Sequence, residues 1–186
     1  MKRLMTTATA CLVMLAALPA SAEIVESEHG GFASTHSVVV AADRAQVWRE
    51  LIHPEAWWTH TWSDDSANLR LDARAGGCFC ETVPATDGWP AGSVEHMRVL
   101  MVMPGSLLRM SGSLGPLQSE GLVGTLTVTL AEEEAGTRIT WDYITGGEAR
   151  FPVGQFGPVV DNVQAEFLGG LVDRLGGAVA GEGAEG

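Results

Sequence analysis

The sequence predicts an α+β domain in which a curved antiparallel sheet wraps around a long C-terminal helix, with two short helices after the first strand. Three observations carry this expectation. Between its Gly, Pro and Asp breakers the chain falls mostly into runs of strand length, the clearest of which alternate apolar and polar residues with a period of two. The runs are joined by short turns, which pair consecutive strands antiparallel. The last stretch changes period: Val160, Val163, Phe167, Leu171 and Leu175 recur at three and four residues, the spacing of one helical face. A sheet buries such a helix by curling over it.

Composition fits one folded domain. The chain has 186 residues and 19.6 kDa, with 46% hydrophobic and 18% charged residues, enough apolar material for a single core. It carries 11 basic and 23 acidic residues, a net charge of −12. That sign excludes nucleic acid as a partner, because phosphate binding rests on Lys and Arg, and it disfavours docking on anionic lipid.

The N-terminus reads as a targeting segment. Lys2 and Arg3 precede an apolar run at residues 12–18, and Ala20-Ser21-Ala22 offers small residues for cleavage, so residues 1–22 are expected to be a signal peptide. The apolar run is shorter than the roughly 20 residues that cross a bilayer. A secreted or periplasmic protein without a membrane span follows, and loss of Lys2 and Arg3 leaves 9 basic against 23 acidic residues, or −14. The remaining chain divides into one domain over residues 34–176 and a Gly- and Glu-rich tail over 177–186, expected to be disordered.

Within the domain, the β-branched run at residues 37–41 forms the first strand, and Asp43 caps a short helix that sets Val47, Trp48 and Leu51 on one face. His53-Pro54 ends that helix, and a second helical turn carries Trp57 and Trp58. Leu69 and Leu71 mark a brief strand, followed by strands over residues 78–83, 93–103, 107–113, 122–130 and 137–145. Pro158 suits the first turn of the closing helix. Gly169-Gly170 in its middle costs about 1 kcal/mol per residue against Ala, which points to a close contact, room for a ligand, or a kink.

This order is similar to the helix-grip fold of the SRPBCC or START-like superfamily, and resembles heat-shock-protein ATPase activator homologues and polyketide-cyclase-like proteins. The resemblance rests on Ala45-Gln46-Val47-Trp48 after the opening strand, His53-Pro54-Glu55 with Trp57-Trp58, Gly76-Gly77-Cys78-Phe79, Gly136-Thr137-Arg138-Ile139-Thr140, and the terminal helix. The stretches His60-Thr61-Trp62-Ser63, Gly77-Cys78-Phe79-Cys80-Glu81 and Leu108-Arg109-Met110-Ser111-Gly112 are similar to a secreted bacterial subgroup. Export would keep such a protein away from a cytosolic chaperone.

The resemblance implies an apolar pocket between sheet and helix, and hence a small hydrophobic molecule as partner. By alternation the sheet would contribute Met110, Leu126, Val128, Trp141 and Tyr143 to it, and the helix Phe167 and Leu171. Trp57, Trp58 and Trp62 would line its mouth, or form a second small core under the loop. Two functions fit: a binding module for a hydrophobic ligand, or a cyclase- or isomerase-type enzyme in which Glu81 or His96 moves a proton. Glu95, Asp142 and His60 are further acids and bases. No Gly-rich phosphate loop, Gly-x-Ser-x-Gly elbow or His-Glu-x-x-His motif is present, which leaves nucleotide hydrolases, serine esterases and zinc proteases without support. No cofactor and no metal is expected. Oligomeric state is not legible.

Cys78 and Cys80 allow several readings. On a regular strand their Cα atoms would lie about 6.6 Å apart, twice the strand rise and near the limit for a bridge. A redox-active bridge and a zinc site with His96 remain alternatives, and two free thiols on one face near His96, without zinc, are the expectation.

Overall fold

A computed structural model describes residues 23–27 and 31–179. Eight strands form one antiparallel sheet: β1 (Glu23–Ser27), β2 (Gly31–Val40), β3 (Leu69–Leu71), β4 (Cys78–Val83), β5 (Gly92–Met103), β6 (Leu107–Ser111), β7 (Gly121–Glu133) and β8 (Gly136–Glu148). Their spatial order is β1-β2-β8-β7-β6-β5-β4-β3, so β3 to β8 form a meander and β2 closes onto its last strand. Helix α1 (Arg44–Leu51) follows β2, and α2 (Val153–Arg174) packs against β2, β1 and β8. This is the α+β helix-grip architecture expected from the sequence.

Alternation builds the core. In β7 Leu126, Val128 and Leu130 are buried, in β8 Ile139, Trp141 and Tyr143, and the register sets Leu126 opposite Tyr143 and Val128 opposite Trp141. Phe167, Leu168, Leu171 and Val172 of α2 complete it. Tyr143 lies flat over Gly124, where a Cβ would sit 2.2 Å from its hydroxyl oxygen, so β7 must carry glycine at that position. Asp43 caps α1 as the sequence suggests, its carboxylate accepting from the Gln46 N–H at 2.7 Å.

Several boundaries differ from those read in the sequence. The sheet starts before Ser34: β1 pairs with β2 from Glu23 opposite Thr35 to Ser27 opposite Gly31. Helix α2 starts at Val153, so Pro158 lies inside it and not at its first position. Residues 177–179 are tied to the domain, Ala178 bridging Val40 and the Val179 N–H donating to Val39 O at 2.8 Å. The expected leader, residues 1–22, lies outside the described residues, as does the tail beyond Val179.

One irregularity determines the chemistry of the inner face. Phe79 pairs with Met97, but Cys80 pairs with Glu95, so β5 carries His96 as an extra residue. The bulge turns both His96 and Met97 inward, where strict alternation would place them on opposite faces, and points Glu95 out.

Candidate functional site

The space between the middle of the sheet and α2 is filled. Trp57 meets Trp141 edge-on at 6.2 Å between ring centroids, Trp58 meets Phe79 edge-on at 4.8 Å, and Trp58 stacks on Phe167 at 3.3 Å. Each of these indoles has its N–H satisfied: Trp57 donates to Glu50 O, Trp58 to His60 O, and Trp141 to the Gln164 side-chain oxygen. The void left among Trp57, Met110, Val128 and Trp141 measures about 10 Å³, no more than one water's share. Leu126, Tyr143 and Leu171 are completely buried in the same core. The pocket expected there is occupied by the tryptophans that were expected at its mouth.

Gly170 permits this packing. A Cβ on it would lie 2.5 Å from Trp57 O, so the helix approaches the Trp57 loop backbone more closely than any other residue would allow. Gly169 faces open space, with nothing within 4 Å of its virtual Cβ.

The cavity lies beyond the filled core, at one end of the sheet, with a volume of about 820 Å³. Three segments wall it. Helix α2 supplies Phe156, Val159, Val160, Val163, Gln164 and Phe167. The loop after α1 supplies Trp58, His60, Trp62 and Asp64, and the connection from β6 to β7 supplies Leu114, Pro116, Leu117 and Glu120. Of the residues expected to touch a ligand, Trp58, Trp62 and Phe167 border this space. Trp57, Met110, Leu126, Val128, Trp141, Tyr143 and Leu171 stand behind it in the core. The helix residues Val160, Val163 and Gln164 were missed; their signal was a buried amide in the apolar stripe one turn before Phe167.

His96 forms part of the cavity floor. It is 4% exposed, and its Nε2 lies 2.9 Å from Oε2 of Glu81, which is 0% exposed. Glu81 also accepts from the backbone N–H of Trp62 at 3.0 Å and of Ser63 at 2.5 Å. Burial alone would raise its pKa, but hydrogen bonds from the Ser63 side chain, the Trp62 and Ser63 N–H groups and His96 outweigh it, and the carboxyl is held below its ordinary value of 4.5. For His96 burial dominates and lowers the pKa from 6.5, against the opposing pull of Glu81. At neutral pH the pair is therefore a carboxylate and a neutral imidazole. Nε2–H donates to Glu81, leaving Nδ1 as the basic nitrogen, and Nδ1 makes no hydrogen bond with the described protein.

The other expected acids and bases are elsewhere. Glu95 is on the outer face, 2.5 Å from Arg98, and Asp142 accepts from Thr35 at 2.8 Å on that face. His60 stands at the cavity rim, 2.8 Å from Glu166. Arg150 binds Glu120 and holds its carboxyl below the usual range.

A second buried polar cluster ties α2 to β2: Ser34 Oγ donates to Asp161 at 2.6 Å, and His36 Nε2 is 3.0 Å from the same carboxylate oxygen. All three residues are buried, and none of them borders the cavity.

Cys78 and Cys80 are joined as a disulfide, not two free thiols. The strand is bent opposite the His96 bulge, which brings their Cα atoms to 5.4 Å, well inside the range for a bridge. The sulfurs lie near Glu95 and not His96, because the bulge sends the imidazole through to the other face.

No protein-family model matches the chain, and no curated protein matches it. Solved structures do. A Staphylococcus aureus protein of unknown function, SA2116, aligns with a TM-score of 0.58 at 12% identity, over 80% of this chain and 96% of that one. CalU16 from Micromonospora echinospora aligns with a TM-score of 0.55 at 16% identity, over 86% and 87%. DynU16, a protein of the dynemicin biosynthetic locus, aligns with a TM-score of 0.52 at 17% identity, over 77% of this chain and 47% of its own. At these identities the likeness is one of fold.

Proposed function

We propose that the chain binds a small hydrophobic molecule in the end cavity walled by α2, the Trp58–Asp64 loop and the β6–β7 connection. The observation that carries this reading is the cavity itself: about 820 Å³, lined largely by Trp, Phe, Val, Leu and Pro side chains, within the size range of sites for molecules of drug size. The structural likeness to DynU16, from a biosynthetic locus, is in keeping with such a ligand. Titration with the neutral fluorophore N-phenyl-1-naphthylamine tests it. Saturable uptake at one site, with quenching of tryptophan emission from Trp58 and Trp62, is the expected result. A protein that takes up no apolar probe overturns the reading.

A second reading, proton transfer on the bound molecule, is favoured by one specific observation. Glu81 and His96 form a buried carboxylate–imidazole pair whose free nitrogen belongs to a residue bordering the cavity. Glu81 would hold the imidazole in one tautomer and His96 would act as general base, the arrangement expected of a cyclase- or isomerase-type enzyme. Hydrogen–deuterium exchange next to the carbonyl of 2-tetralone, followed by NMR, tests this. The protein should accelerate exchange, and His96→Gln should abolish the acceleration.

We further propose that the mature chain begins near Glu23 and works outside the cytoplasm. The signal-like pattern of residues 1–22 and the Cys78–Cys80 disulfide support this. N-terminal sequencing of the protein from its native host decides it.

A further inference from the structure

The cavity is lined largely by apolar side chains, and two polar groups at its floor have one side satisfied and the other open. His96 commits Nε2–H to Glu81, which leaves Nδ1 as an acceptor without a partner. Gln164, 1% exposed, commits its side-chain oxygen to the Trp141 N–H at 2.8 Å. That bond orients the amide and leaves the Nε2 hydrogens without a protein acceptor. Both residues border the cavity. Among the described residues the side-chain atoms sealed from solvent without a partner are Tyr143 Oη and Thr145 Oγ1, so His96 Nδ1 and Gln164 Nε2 are not fully sealed.

The charges on the wall point the same way. Among the described residues bordering the cavity there is no Lys or Arg, whereas Asp64 and Glu120 present carboxylates. Arg150, the nearby cation, is engaged by Glu120 at 2.6 Å. A ligand carboxylate or phosphate would meet no counter-charge and would be repelled at the rim.

Taking the apolar-ligand reading as its premise, we infer that the ligand is a neutral molecule with a polar head, an enol or phenol type of O–H that donates to His96 Nδ1 beside an oxygen that accepts from Gln164 Nε2. A fatty acid or other anionic lipid is the wrong chemistry for this floor. A bare hydrocarbon would bind with both groups unsatisfied, which costs affinity because each loses water without a replacement.

Three probes with nearly the same ring system separate the possibilities: naphthalene, 2-naphthol and 2-naphthoate, compared by quenching of tryptophan emission at pH 7. Naphthol should bind about tenfold more tightly than naphthalene, the worth of one to two well-formed hydrogen bonds, and naphthoate more weakly than either. Gln164→Leu and His96→Phe should each reduce the naphthol advantage and raise naphthalene affinity, because the hydrocarbon then leaves one polar group fewer without a partner. Because His96→Phe strands the buried Glu81, the ¹⁵N signal of His96 Nδ1 in the unmodified protein gives an independent readout. It should move on addition of naphthol and stay in place with naphthalene. If naphthalene binds but naphthol shows no advantage, or if naphthoate binds most tightly, the inference is overturned and the cavity reading stands. If none of the three binds, both fall.

Discussion

His96 Nε2 lies 2.9 Å from Glu81 Oε2, and both side chains are withdrawn from solvent at the base of a largely apolar cavity. The contact exists because a single extra residue in β5 rotates the imidazole inward. Glu81 reciprocates by holding the Trp62–Ser63 backbone, which forms one wall. One carboxylate thus positions both the imidazole and the loop.

Removing that carboxylate should loosen the wall and the fold together. Glu81→Ala strands the N–H groups of Trp62, Ser63 and His96, and a loss of about 3 kcal/mol in urea unfolding at pH 7 is expected. A change below about 1 kcal/mol would show that water replaces the carboxylate at no cost.

Acid should destabilise the protein in two stages. His96 titrates lower in the folded than in the unfolded chain, so its contribution is complete above pH 6.5 and shrinks as pH falls below it. Glu81 is also depressed, so its contribution is complete above pH 4.5 and is lost as pH falls through its folded pKa. Thermal midpoints should decline from pH 7 downward and steepen below 4.5, and Glu81→Gln should flatten the lower stage. A midpoint that rises on acidification contradicts the assignment.

Filling the cavity should abolish binding and spare the fold. Val160→Trp projects an indole from α2 into the space beside Phe156 and Val163. Uptake of N-phenyl-1-naphthylamine should fall at least tenfold, with a thermal midpoint near that of the parent.

The two adjacent glycines of α2 should respond oppositely to alanine. Gly170→Ala drives a methyl group into Trp57 O and should cost about 1 to 3 kcal/mol. Gly169→Ala meets nothing and should stabilise by up to about 1 kcal/mol, through helix propensity alone. Equal effects at both positions would contradict the close approach of helix and loop.

The disulfide makes a simple chemical prediction. Denatured but unreduced protein cleaved after Ala22 should show no reactive thiol, and reduction should release two. Two thiols before reduction would restore the free pair expected from regular strand geometry.

The sheet was readable in the sequence because its residues alternate. Cys78–Val83 and Leu69–Leu71 appear at their expected bounds, and the β7 and β8 faces follow Leu126, Val128, Trp141 and Tyr143. Strand β1 was not, since five residues flanked by polar chain carry little pattern; its identity comes from pairing with β2. The direction of His96 was hidden for a different reason. Alternation assumes an unbroken register, and a bulge inverts the phase without leaving a composition signal. The cavity was displaced from its expected place because the choice between lining and filling a space is tertiary: Trp57 and Trp58 have the same chemistry in either role, and only the close approach at Gly170 lets them fill it.

A solid centre with an empty end divides most of the residues that shape the chamber from those that hold the fold. The walls come from one helix and two loops, and of their residues Trp58 and Phe167 also belong to the core behind them. Exchanging Val159, Leu117 or Trp62 for other side chains would alter the shape of the chamber and leave the packed core of β7, β8, Trp57, Trp58 and Trp141 intact. Effects of such exchanges on ligand choice and on stability should be close to additive, since they touch different neighbours. Substitutions at the rim should therefore reshape the chamber at little cost to the scaffold.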